Sequence, residues 1–325
     1  MKVLLIRVSS MGDVLHNMPI VADILRHFPD AQIDWVAEEA FVDLVKLNPR
    51  VRKVIPFALR RWRKNLFSKP VRAEMAAFKK SLRAETYDVI LDTQGLMKTG
   101  VIMGLAHGRI KVGLANGTEG SGYEAISRIF HTLSVPVGLH THAVMRGRLV
   151  AGQAFGFRDE IERTPPDFGL IAPAIDCSAW LPDSDYAVFF HGTAGAHKKW
   201  PTNDWVTLGN HLSARGLPIL LAWGNSTEQQ EAQKIAFQLS GATVLPKLSM
   251  LEAITLAQRA ALVVGVDTGL THIAAAYGRP TVEIYSASPR WKTEGNWSEQ
   301  IINLGDKGAP PTADAVIAAA NQLLR

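Results

Sequence analysis

Hydrophobic residues in this chain fall into short unbroken runs, and the segments between the runs have the spacing and end signals of helices. Short apolar runs rich in Val, Ile and Leu are typical of strands buried on both faces of a parallel sheet. The predicted strands are Lys2–Val8, Ile33–Ala37, Val51–Phe57, Tyr87–Asp92, Tyr186–His191, Pro218–Ala222 and Leu262–Val266. Strands that alternate with helices predict the α/β class, with parallel sheets and helices on both faces.

Helix signals fill the gaps between these strands. Two pairs, Ser226 with Gln229 and Ser249 with Glu252, have the spacing of a capping box and therefore predict helix starts. The predicted helices are Val14–His27, Pro70–Ala84, Leu96–Ala106, His140–Ala154 and Asn203–Ala214, with others starting near Thr227 and after Ser249.

The length of 325 residues predicts two domains of about 150 residues each. A charged and then proline-rich segment at Arg158–Pro173 is typical of a linker. We therefore expect an N-terminal Rossmann-like domain at 1–165 and a C-terminal Rossmann-like domain at 166–311. The remaining residues, 312–325, are expected to form a helix that packs back on the N-terminal domain.

The stretch Ala261–Ala276 in the second half predicts a strand, a sharp turn and the start of a helix. Thr268 stands at the N-cap position, and Gly269 has no side chain to screen the free backbone N–H groups. With the positive end of the helix dipole, these groups favour a phosphate, and His272 in the first turn would face it. The alternative is that Asp267 and Thr268 only cap the helix and that His272 packs in the protein or is solvated. Aspartic proteases also contain the sequence D-T-G, but they need two copies in β-rich lobes.

The loop after the first strand carries a candidate general base, Asp13. It lies where a strand ends and a helix begins, at the edge where open α/β sheets bind ligands. A helix start lowers the pKa of a carboxyl group and therefore its basicity. Alternatively, Asp13 only stabilises the helix dipole. The loop lacks the G-x-G-x-x-G pattern, so nicotinamide or flavin binding is not expected.

Positive charge is concentrated in the first half. Residues 1–160 hold 23 Lys and Arg against 15 Asp and Glu, and residues 161–325 hold 12 against 15. Nine basic residues lie within Arg60–Arg83, opposed only by Glu74. This segment predicts contact with nucleic acid, anionic lipid headgroups or a phosphorylated acceptor, unless it is simply a solvated helix face. Trp62 and Phe67 are candidates for an interfacial anchor or a base-stacking platform. Lys98 opposes the dipole of its helix, which suggests a role with a ligand.

Cysteine use and hydropathy indicate the compartment. Cys177 is the only cysteine, so the chain cannot form an internal disulfide and suits a reducing compartment. The apolar run Val3–Ile6 ends at Arg7 and is too short for a secretion signal. Because no segment approaches the ~20 apolar residues of a membrane span, we expect a cytoplasmic protein, or one peripheral to a membrane from that side.

Several residues fall at or just past the carboxyl ends of the predicted second-half strands: Thr193, Lys198, Glu228, Thr268 and Gly269. A lysine and a helix start that converge on a diphosphate would stabilise the charge of a departing nucleotide without a bound metal. Glu228 is suited to ribose hydroxyls, although it could instead satisfy the helix dipole. With Asp13 taking the proton of an attacking hydroxyl, the pattern predicts inverting glycosyl transfer in one displacement.

Short blocks spread over nearly the whole chain carry a family resemblance. They are SSMGDVLH at Ser9–His16, DWVAEEAF at Asp34–Phe41, VIPFALRRWRK with FSKP within Val54–Pro70, DTQGLMK at Asp92–Lys98, KKWP at Lys198–Pro201, LAWG at Leu221–Gly224 and VDTGLTH at Val266–His272. In this order they resemble the lipopolysaccharide heptosyltransferase I family.

The resemblance implies the GT-B fold, in which two Rossmann-like domains have parallel sheets facing across a cleft. It implies inverting, metal-independent transfer of L-glycero-D-manno-heptose from ADP-heptose to the first Kdo of Kdo-lipid A, in lipopolysaccharide inner-core synthesis. The implied partners are ADP-heptose, Kdo-lipid A and the anionic cytoplasmic face of the inner membrane, to which the protein would be peripheral. No cofactor, metal ligand or nucleic-acid partner is implied.

Residue roles follow from the same resemblance. Asp13 would be the base. Donor-binding positions would be Thr193, Ala194, Lys198, Glu228, Leu248, Asp267, Thr268, Gly269 and His272. Acceptor-binding positions would be Ser10, Arg60, Arg61, Arg63, Lys64, Gln94 and Lys98. Two positions depart from the family pattern, because Ala194 stands where a second Thr is common and Leu248 where a Met is common. We expect the first to cost a modest amount of donor affinity.

Three alternatives remain. Heptosyltransferase II adds the next heptose, but that family usually departs from the Ser9–His16 loop and the Arg60–Lys64 block. A nucleic-acid-binding module would explain the basic segment Arg60–Arg83 but not the phosphate site. A cofactor-dependent oxidoreductase is weakened by the missing glycine pattern.

Overall fold

The computed structural model describes residues 1–193 and 195–325. The chain divides into two compact units, Met1–Ile171 and Ala172–Arg325. Each unit contains one six-stranded sheet, and every recorded strand pair in both sheets is parallel. Among the described helices, none combines the length and the apolar character needed to cross a bilayer. The two parallel sheets, with the helices between their strands, confirm the predicted α/β class with two Rossmann-like domains.

Strands and helices alternate along the first unit. Its elements are β1 (Lys2–Ile6), α1 (Met11–His16), α2 (Pro19–His27), β2 (Gln32–Glu38), α3 (Val42–Lys46), β3 (Val51–Phe57), α4 (Leu59–Trp62), α5 (Lys69–Leu82), β4 (Thr86–Asp92), α6 (Met97–Leu105), β5 (His107–Leu114), β6 (Leu133–Val135) and α7 (Ala143–Phe155). Short 3-10 helices lie at Glu39–Phe41, Ala125–Phe130 and Arg158–Arg163.

The sheet of the first unit has the strand order β3-β2-β1-β4-β5-β6. The order reverses at β1, so β1 and β4 are neighbours whose following loops leave the sheet side by side, and Ile6 pairs with Asp92. Such a switch point is the usual ligand site of an open α/β sheet. It brings the segment after Ile6, which contains Asp13, next to the segment after Asp92.

The second unit repeats this plan. Its elements are β7 (Ala187–Phe190), α8 (Thr202–Ala214), β8 (Ile219–Leu221), α9 (Ser226–Ala236), β9 (Ala242–Val244), α10 (Met250–Arg259), β10 (Leu262–Val266), α11 (Gly269–Ala276), β11 (Thr281–Tyr285), β12 (Ile301–Gly305) and α12 (Ala313–Leu323). Short 3-10 helices lie at Ala196–Lys198 and Arg290–Lys292. The strand order is β12-β11-β10-β7-β8-β9, with the switch between β10 and β7. Gly265 pairs with Phe190 there, so the turns after these two strands are neighbours.

The unit boundary lies a few residues later than the predicted 165/166 division. The proline-rich segment is tied to the first unit by hydrogen bonds. The Asn48 side chain donates to the Phe168 carbonyl at 3.3 Å, and the Ile171 N–H donates to the Leu47 carbonyl at 2.9 Å. These bonds explain why the first unit extends through Ile171.

The terminal helix α12 packs in the second unit, whereas the sequence analysis expects it to pack back on the N-terminal domain. Val316, Ala319 and Ala320 are buried in the core of the second unit together with Val282 and Ile284 of β11. The apolar side of α12 is therefore buried against the strands that precede it in the chain.

The structure differs from two of the predictions for helix starts and agrees with a third. The predicted helix Val14–His27 is two helices, because α1 ends at His16 and α2 begins at Pro19, whose ring supplies no N–H for a continuous helix. The N-cap of α9 is Asn225 rather than Ser226, and its side chain accepts from the N–H groups of Thr227 and Glu228. The capping box of Ser249 and Glu252 at the start of α10 is confirmed.

Candidate active site

Asp13 lies at the switch point of the first sheet, inside a cluster of two arginines and a serine. Its Oδ1 is 2.5 Å from an Arg7 nitrogen and 3.4 Å from an Arg146 nitrogen. Its Oδ2 accepts from the Ser10 backbone N–H at 3.0 Å and from the Ser10 hydroxyl at 2.9 Å. About a third of the Asp13 side chain is exposed (32%), whereas both arginines are buried. The carboxylate therefore keeps an accessible side although it is held by fixed charges.

The electrostatics of this cluster keep Asp13 ionised. Burial would raise the pKa of its carboxyl group, but the positive charges of Arg7 and Arg146 and the Ser10 N–H outweigh burial and hold the pKa well below the usual range. The pKa of Arg146 is lowered to about 10, mainly because its guanidinium is buried. A base must be ionised to accept a proton, and Asp13 meets that condition, although its low pKa makes it a weak base.

The neighbouring turn after β4 carries two predicted acceptor-binding residues. Gln94 is buried; its Oε1 accepts from the Val8 N–H at 3.0 Å, and its Nε2 donates to the Ser9 hydroxyl at 3.4 Å. The Lys98 ammonium donates to the same hydroxyl at 3.2 Å. Both residues therefore converge on the loop that precedes Asp13. Gln94 holds this loop in place, and Lys98 adds a positive charge beside it.

Positive charge from the segment after β3 reaches the same area. Burial lowers the pKa of Lys98; Glu38 opposes this shift, and the charges of Arg60 and Arg63 add to it. Burial raises the pKa of Glu38, which accepts from the Arg60 N–H at 3.5 Å. Several cations thus lie in the same region as the buried carboxylate of Glu38, and their excess charge favours the binding of an anion.

Residues of α4 and the loop after it behave differently from one another. Arg61 contacts Glu39 at 3.0 Å and Glu74 at 2.8 Å, so its charge is already neutralised within the unit. Trp62, predicted as an interfacial anchor, is buried, packs edge-on against Phe57 and Phe78, and donates to Glu74 at 2.8 Å. The sequence could not separate these roles, because both residues lie in one run of basic and aromatic residues.

Other exposed members of the same segment include Arg60, Arg63, Lys64 and Phe67. Phe67 is 94% exposed, and Leu66 beside it is 43% exposed. The Arg60 guanidinium carbon lies 5.8 Å from the centre of the Phe41 ring, a cation–π contact that orients Arg60 without neutralising its charge. These side chains are available to an external partner.

The second switch point contains the D-T-G turn. Thr268 has an extended backbone and is the N-cap of α11, but its hydroxyl makes no capping bond to the described part of that helix. Gly269 begins α11, so the helix start carries backbone N–H groups with no side chain on the first residue to cover them. This geometry fits the predicted anion site, because such a helix start attracts negative charge.

Asp267, just before the turn, is the centre of a hydrogen-bonded cluster. Its Oδ2 accepts from the Lys198 ammonium at 2.6 Å and from the Ser288 hydroxyl at 2.5 Å. Its Oδ1 is 3.1 Å from His272 Nε2 and 3.5 Å from the Thr293 hydroxyl, which donates to it. Burial would raise the pKa of Asp267, but His272 and Lys198 outweigh it and hold the pKa far below the usual range.

His272 is buried, whereas the sequence analysis expects it to face a phosphate. Its ring lies between Asp267 and Glu283, with Nδ1 2.8 Å from a Glu283 oxygen. Burial opposes its charge, but the two carboxylates outweigh burial and raise the pKa of His272 to about 10. The raised pKa favours the charged form of His272. His272 is linked to the D-T-G turn by its contact with Asp267.

Glu228 and Thr193 lie on the other side of the second switch point. Glu228 Oε2 accepts from the Gly224 N–H at 2.7 Å, and its Oε1 accepts from the Asn225 side chain at 2.8 Å. Its carboxyl carbon would lie 2.7 Å from a Cβ at position 192, so Gly192 is needed for this close approach. The carboxylate thus accepts hydrogen bonds from residues just before α9, and its oxygens can still accept one from a hydroxyl.

The remaining donor positions are less informative. Thr193 and Leu248 are half-buried, and Ala194 lies outside the described residues. Among the residues that the structure describes, no group of three His, Cys, Asp or Glu side chains is arranged to hold a metal ion.

Five residues of these two clusters were not identified from the sequence. They are Arg7, Arg146, Glu283, Ser288 and Thr293. A weak signal exists for Arg7, since a charged residue at the end of a buried strand is unusual. Arg146 approaches Asp13 from 133 residues away in sequence, and no local pattern predicts that contact.

Comparison with protein families places this geometry in context. The family model described as glycosyltransferase family 9 (heptosyltransferase) matches residues 75–322. The chain belongs to glycosyltransferase family 9. As a member of this family it is a glycosyltransferase. Both switch points belong to the fold of this family.

Individual relatives agree with the family assignment. Lipopolysaccharide heptosyltransferase 1 of Escherichia coli K12 is 36% identical over 305 residues, covering 93% of both chains. The structure of E. coli heptosyltransferase WaaC with ADP has a TM-score of 0.86 at 32% identity, covering 99% of this chain and 100% of the other. WaaC with ADP-2-deoxy-2-fluoro heptose has a TM-score of 0.82 at 33% identity, covering 99% of each chain. These matches confirm the predicted GT-B fold class.

The heptosyltransferase II structure of E. coli is less similar. It is 20% identical with a TM-score of 0.78, covering 100% of this chain and 98% of the other, and this likeness shows the fold alone.

Proposed function

We propose that this glycosyltransferase moves L-glycero-D-manno-heptose from ADP-heptose to the first Kdo of Kdo-lipid A, in lipopolysaccharide inner-core synthesis. The observation that carries the proposal is the likeness, over nearly the whole length of both chains, to a heptosyltransferase solved with an ADP-heptose analogue. The lower identity to heptosyltransferase II disfavours transfer to the next position.

In this proposal, the second unit binds the donor. The N–H groups at the helix start of Thr268–Gly269 and the ammonium of Lys198 suit a diphosphate, because they combine a helix start with a partly exposed cation. The remaining acceptor capacity of Glu228 suits the ribose hydroxyls. Thr193, Ala194 and Leu248 would complete the nucleotide site. When ADP departs, Lys198 and the helix start would stabilise its growing negative charge.

Asp13 would act as the base of a single inverting displacement. The attacking Kdo hydroxyl forms a bond to the anomeric carbon of heptose while the bond from that carbon to the phosphate oxygen breaks. The hydroxyl proton passes to Asp13, and the electron pair leaves with ADP. A weak base suffices when the hydroxyl becomes acidic late, as its oxygen bonds to carbon. Arg7 and Arg146 would keep the carboxylate ionised and oriented.

The acceptor would be held by the cations of the first unit. Arg60, Arg63, Lys64 and Lys98 offer charges for the Kdo carboxylate and the lipid A phosphates, which are both anionic. Ser10 and Gln94 would act by holding the loop around Asp13. Arg61 was predicted to bind the acceptor directly, but its two carboxylate partners favour a supporting role for it.

The same unit would contact the cytoplasmic face of the inner membrane. Phe67 and Leu66 are exposed within the basic segment, a combination that suits an anionic lipid surface. Ile126 and Ile129, 55% and 66% exposed, lie three residues apart on the 3-10 helix at Ala125–Phe130 and so share one face. The protein would therefore be a peripheral membrane protein on the cytoplasmic side.

A direct assay tests the proposal. Purified protein is incubated with ADP-heptose and either Kdo-lipid A or Kdo-lipid A that already carries one heptose, and the products are measured by mass spectrometry. We expect a gain of one heptose on the first acceptor only. Transfer to the second acceptor alone would favour the heptosyltransferase II alternative, and transfer to neither would refute the proposal.

A further inference from the structure

A buried carboxylate lies behind the proposed donor site. Glu283, on β11, has no exposed surface. Its Oε2 accepts from the Tyr285 hydroxyl at 2.9 Å and from the Gly295 N–H at 2.9 Å, and its Oε1 is 2.8 Å from His272 Nδ1. A buried carboxyl group is costly unless its partners compensate, and both oxygens of Glu283 have hydrogen-bond partners.

The hydrogen-bond pattern sets the charge of His272. Its two ring nitrogens face carboxylate oxygens, Nδ1 towards Glu283 and Nε2 towards Asp267 at 3.1 Å. Ionised carboxylates only accept hydrogen bonds, so both ring nitrogens must donate, and a ring with two N–H groups is an imidazolium. Each of the three side chains is at least nine-tenths buried, so bulk water supplies little competing solvation.

The same chain of charges continues to the surface. Asp267 accepts from Lys198 at 2.6 Å with its other oxygen, and the Lys198 side chain is 31% exposed. Negative and positive groups therefore alternate from Glu283 through His272 and Asp267 to Lys198. Because Asp267 has two cationic partners, Lys198 is not its only counter-charge and can turn towards a phosphate at lower cost.

We propose that Glu283 is a positioning residue for donor binding: it holds His272 as the second cation on Asp267 and so leaves the Lys198 ammonium available to the donor diphosphate. The inference rests on the proposed function only in that Lys198 and the turn at Thr268 bind the donor. Glu283 itself would touch neither substrate.

Replacement of Glu283 by Gln keeps the shape but changes the hydrogen bonds. The Gln oxygen takes the place that accepts from Tyr285 and Gly295, so the Gln NH₂ group must face His272 Nδ1. A nitrogen that faces a donor must accept, so the ring becomes neutral, with its proton on Nε2. Asp267 then has Lys198 as its remaining cationic partner.

The ionisable groups around His272 determine how its change of charge in Glu283→Gln depends on pH. Asp267 and Glu283 are the ionisable groups that bond its ring, and Lys198 and Tyr285 are the ionisable groups that bond those two. The neighbouring helix α10 has its charged residues bound elsewhere, since Glu252 caps its own helix and Arg259 contacts Cys177. β10 has no ionisable side chain.

The first experiment is nuclear magnetic resonance of the imidazole nitrogens, with the His272 signal assigned from the variant His272→Gln. We expect imidazolium signals for His272 in the parent protein throughout pH 6.5–8.5, because its pKa is raised to about 10. In Glu283→Gln we expect neutral imidazole signals over the same range. A neutral His272 in the parent would overturn the inference without any variant.

The second experiment measures donor binding in the same proteins. Glu283→Gln should raise the KM for ADP-heptose and the Kd for ADP about tenfold at pH 8, the loss expected when one charge-assisted hydrogen bond is weakened, while kcat changes far less. Lowering the pH should partly restore both constants. Glu283→Asp, which keeps the charge, should be closer to the parent than Glu283→Gln.

Tyr285→Phe is the matched control, because it removes one donor to Glu283 and keeps the carboxylate charge. We expect a lower melting temperature with little change in donor KM. If Glu283→Gln lowers the melting temperature but leaves KM and the ADP Kd unchanged at every pH, Glu283 is merely structural. If the parent protein does not use ADP-heptose, the proposed function is refuted instead. The role of Glu283 could then still be tested by comparing the Kd for ADP of the parent and of Glu283→Gln.

Discussion

Asp13 and Asp267 both lie beside the switch point of their own unit, but they follow different strands of it, β1 and β10, and differ in their surroundings. Each follows a strand at a switch point, and each is held by two cations that keep its pKa low. The Asp13 side chain is 32% exposed, and its partners are two guanidinium groups and the N–H and hydroxyl of Ser10. The Asp267 side chain is 10% exposed, and its partners are Lys198, His272 and two hydroxyl groups. Both carboxylates therefore have four partners, and they differ in that Asp13 keeps an exposed side.

This difference assigns different roles to two residues of the same type. A carboxylate with an accessible oxygen can take a proton from a substrate. A carboxylate that the protein encloses can orient the groups that bind a substrate, but a substrate hydroxyl has little access to its oxygens. The comparison therefore predicts that loss of Asp13 affects turnover and that loss of Asp267 affects donor binding.

Asp13→Asn should cause the largest change. It keeps the shape of the side chain but removes the base, so kcat should fall by about 10²–10⁴ with the KM for ADP-heptose within a few-fold of the parent. Calorimetric binding of ADP and the melting temperature serve as controls for folding. Turnover within a few-fold of the parent would show that Asp13 is not the base.

The pH profile of the parent belongs to the same prediction. Because the pKa of Asp13 is held below its usual range, the group is ionised at neutral pH and stays so as the pH falls towards that lowered value. The rate should therefore show no loss from Asp13 protonation between about pH 8 and pH 5. An acid limb near pH 6 that disappears in Asp13→Asn would contradict the structure.

Asp267→Asn should have the next largest effect, and on a different constant. The change releases the Lys198 ammonium, but Lys198 and His272 each lose the carboxylate that orients them. We expect the loss of orientation to outweigh the release, so the KM for ADP-heptose and the Kd for ADP should rise about 10- to 100-fold. The fall in kcat should be much smaller than in Asp13→Asn. If ADP affinity is unchanged and kcat falls as in Asp13→Asn, the two aspartates do not have the separate roles proposed here.

The sequence predicted the two switch points better than the contacts made at them. Strand runs and turn residues are local, so Asp13, Asp267 and the helix start at Thr268 could be identified from neighbouring residues. Arg146 and Glu283 could not, because Arg146 reaches Asp13, and Glu283 reaches His272, from other elements of the fold. Five of the described strands were also missed, namely β5, β6, β9, β11 and β12. The place of α12 was misjudged because long-range packing decides it.

The basic segment illustrates the same limit. Its composition predicted a surface for anions, but composition alone treats Arg60, Arg61 and Arg63 as equivalent. Arg61 lies within reach of both Glu39 and Glu74, and this pairing depends on how β2, α4 and α5 pack. Trp62 is buried for a related reason, because the aromatic rings of Phe57 and Phe78 surround it.

The difference between Arg61 and its neighbours Arg60 and Arg63 gives a third prediction, for acceptor binding, with a smaller expected effect. Arg60→Ala combined with Arg63→Ala should raise the KM for Kdo-lipid A about tenfold, as expected for two exposed ionic contacts, and leave the KM for ADP-heptose nearly unchanged. Arg61→Ala is the matched control and should change the acceptor KM less. Equal effects on both substrates, or a larger effect from Arg61→Ala, would count against the proposed acceptor surface.

The last prediction compares one exposed phenylalanine in each unit. Phe67 is 94% exposed within the basic segment, and Phe237 is 92% exposed on the second unit, so the two are matched in type and exposure. Phe67→Ser should lower partitioning onto vesicles that contain phosphatidylglycerol about tenfold, because a buried phenyl ring contributes about 1.5–3 kcal/mol. Phe237→Ser should leave vesicle binding unchanged, and added salt should weaken binding of the parent because exposed charges are screened. Co-sedimentation with vesicles measures all three. If both variants bind like the parent, the segment around Phe67 does not contact the membrane, and the cations beside it serve only the acceptor.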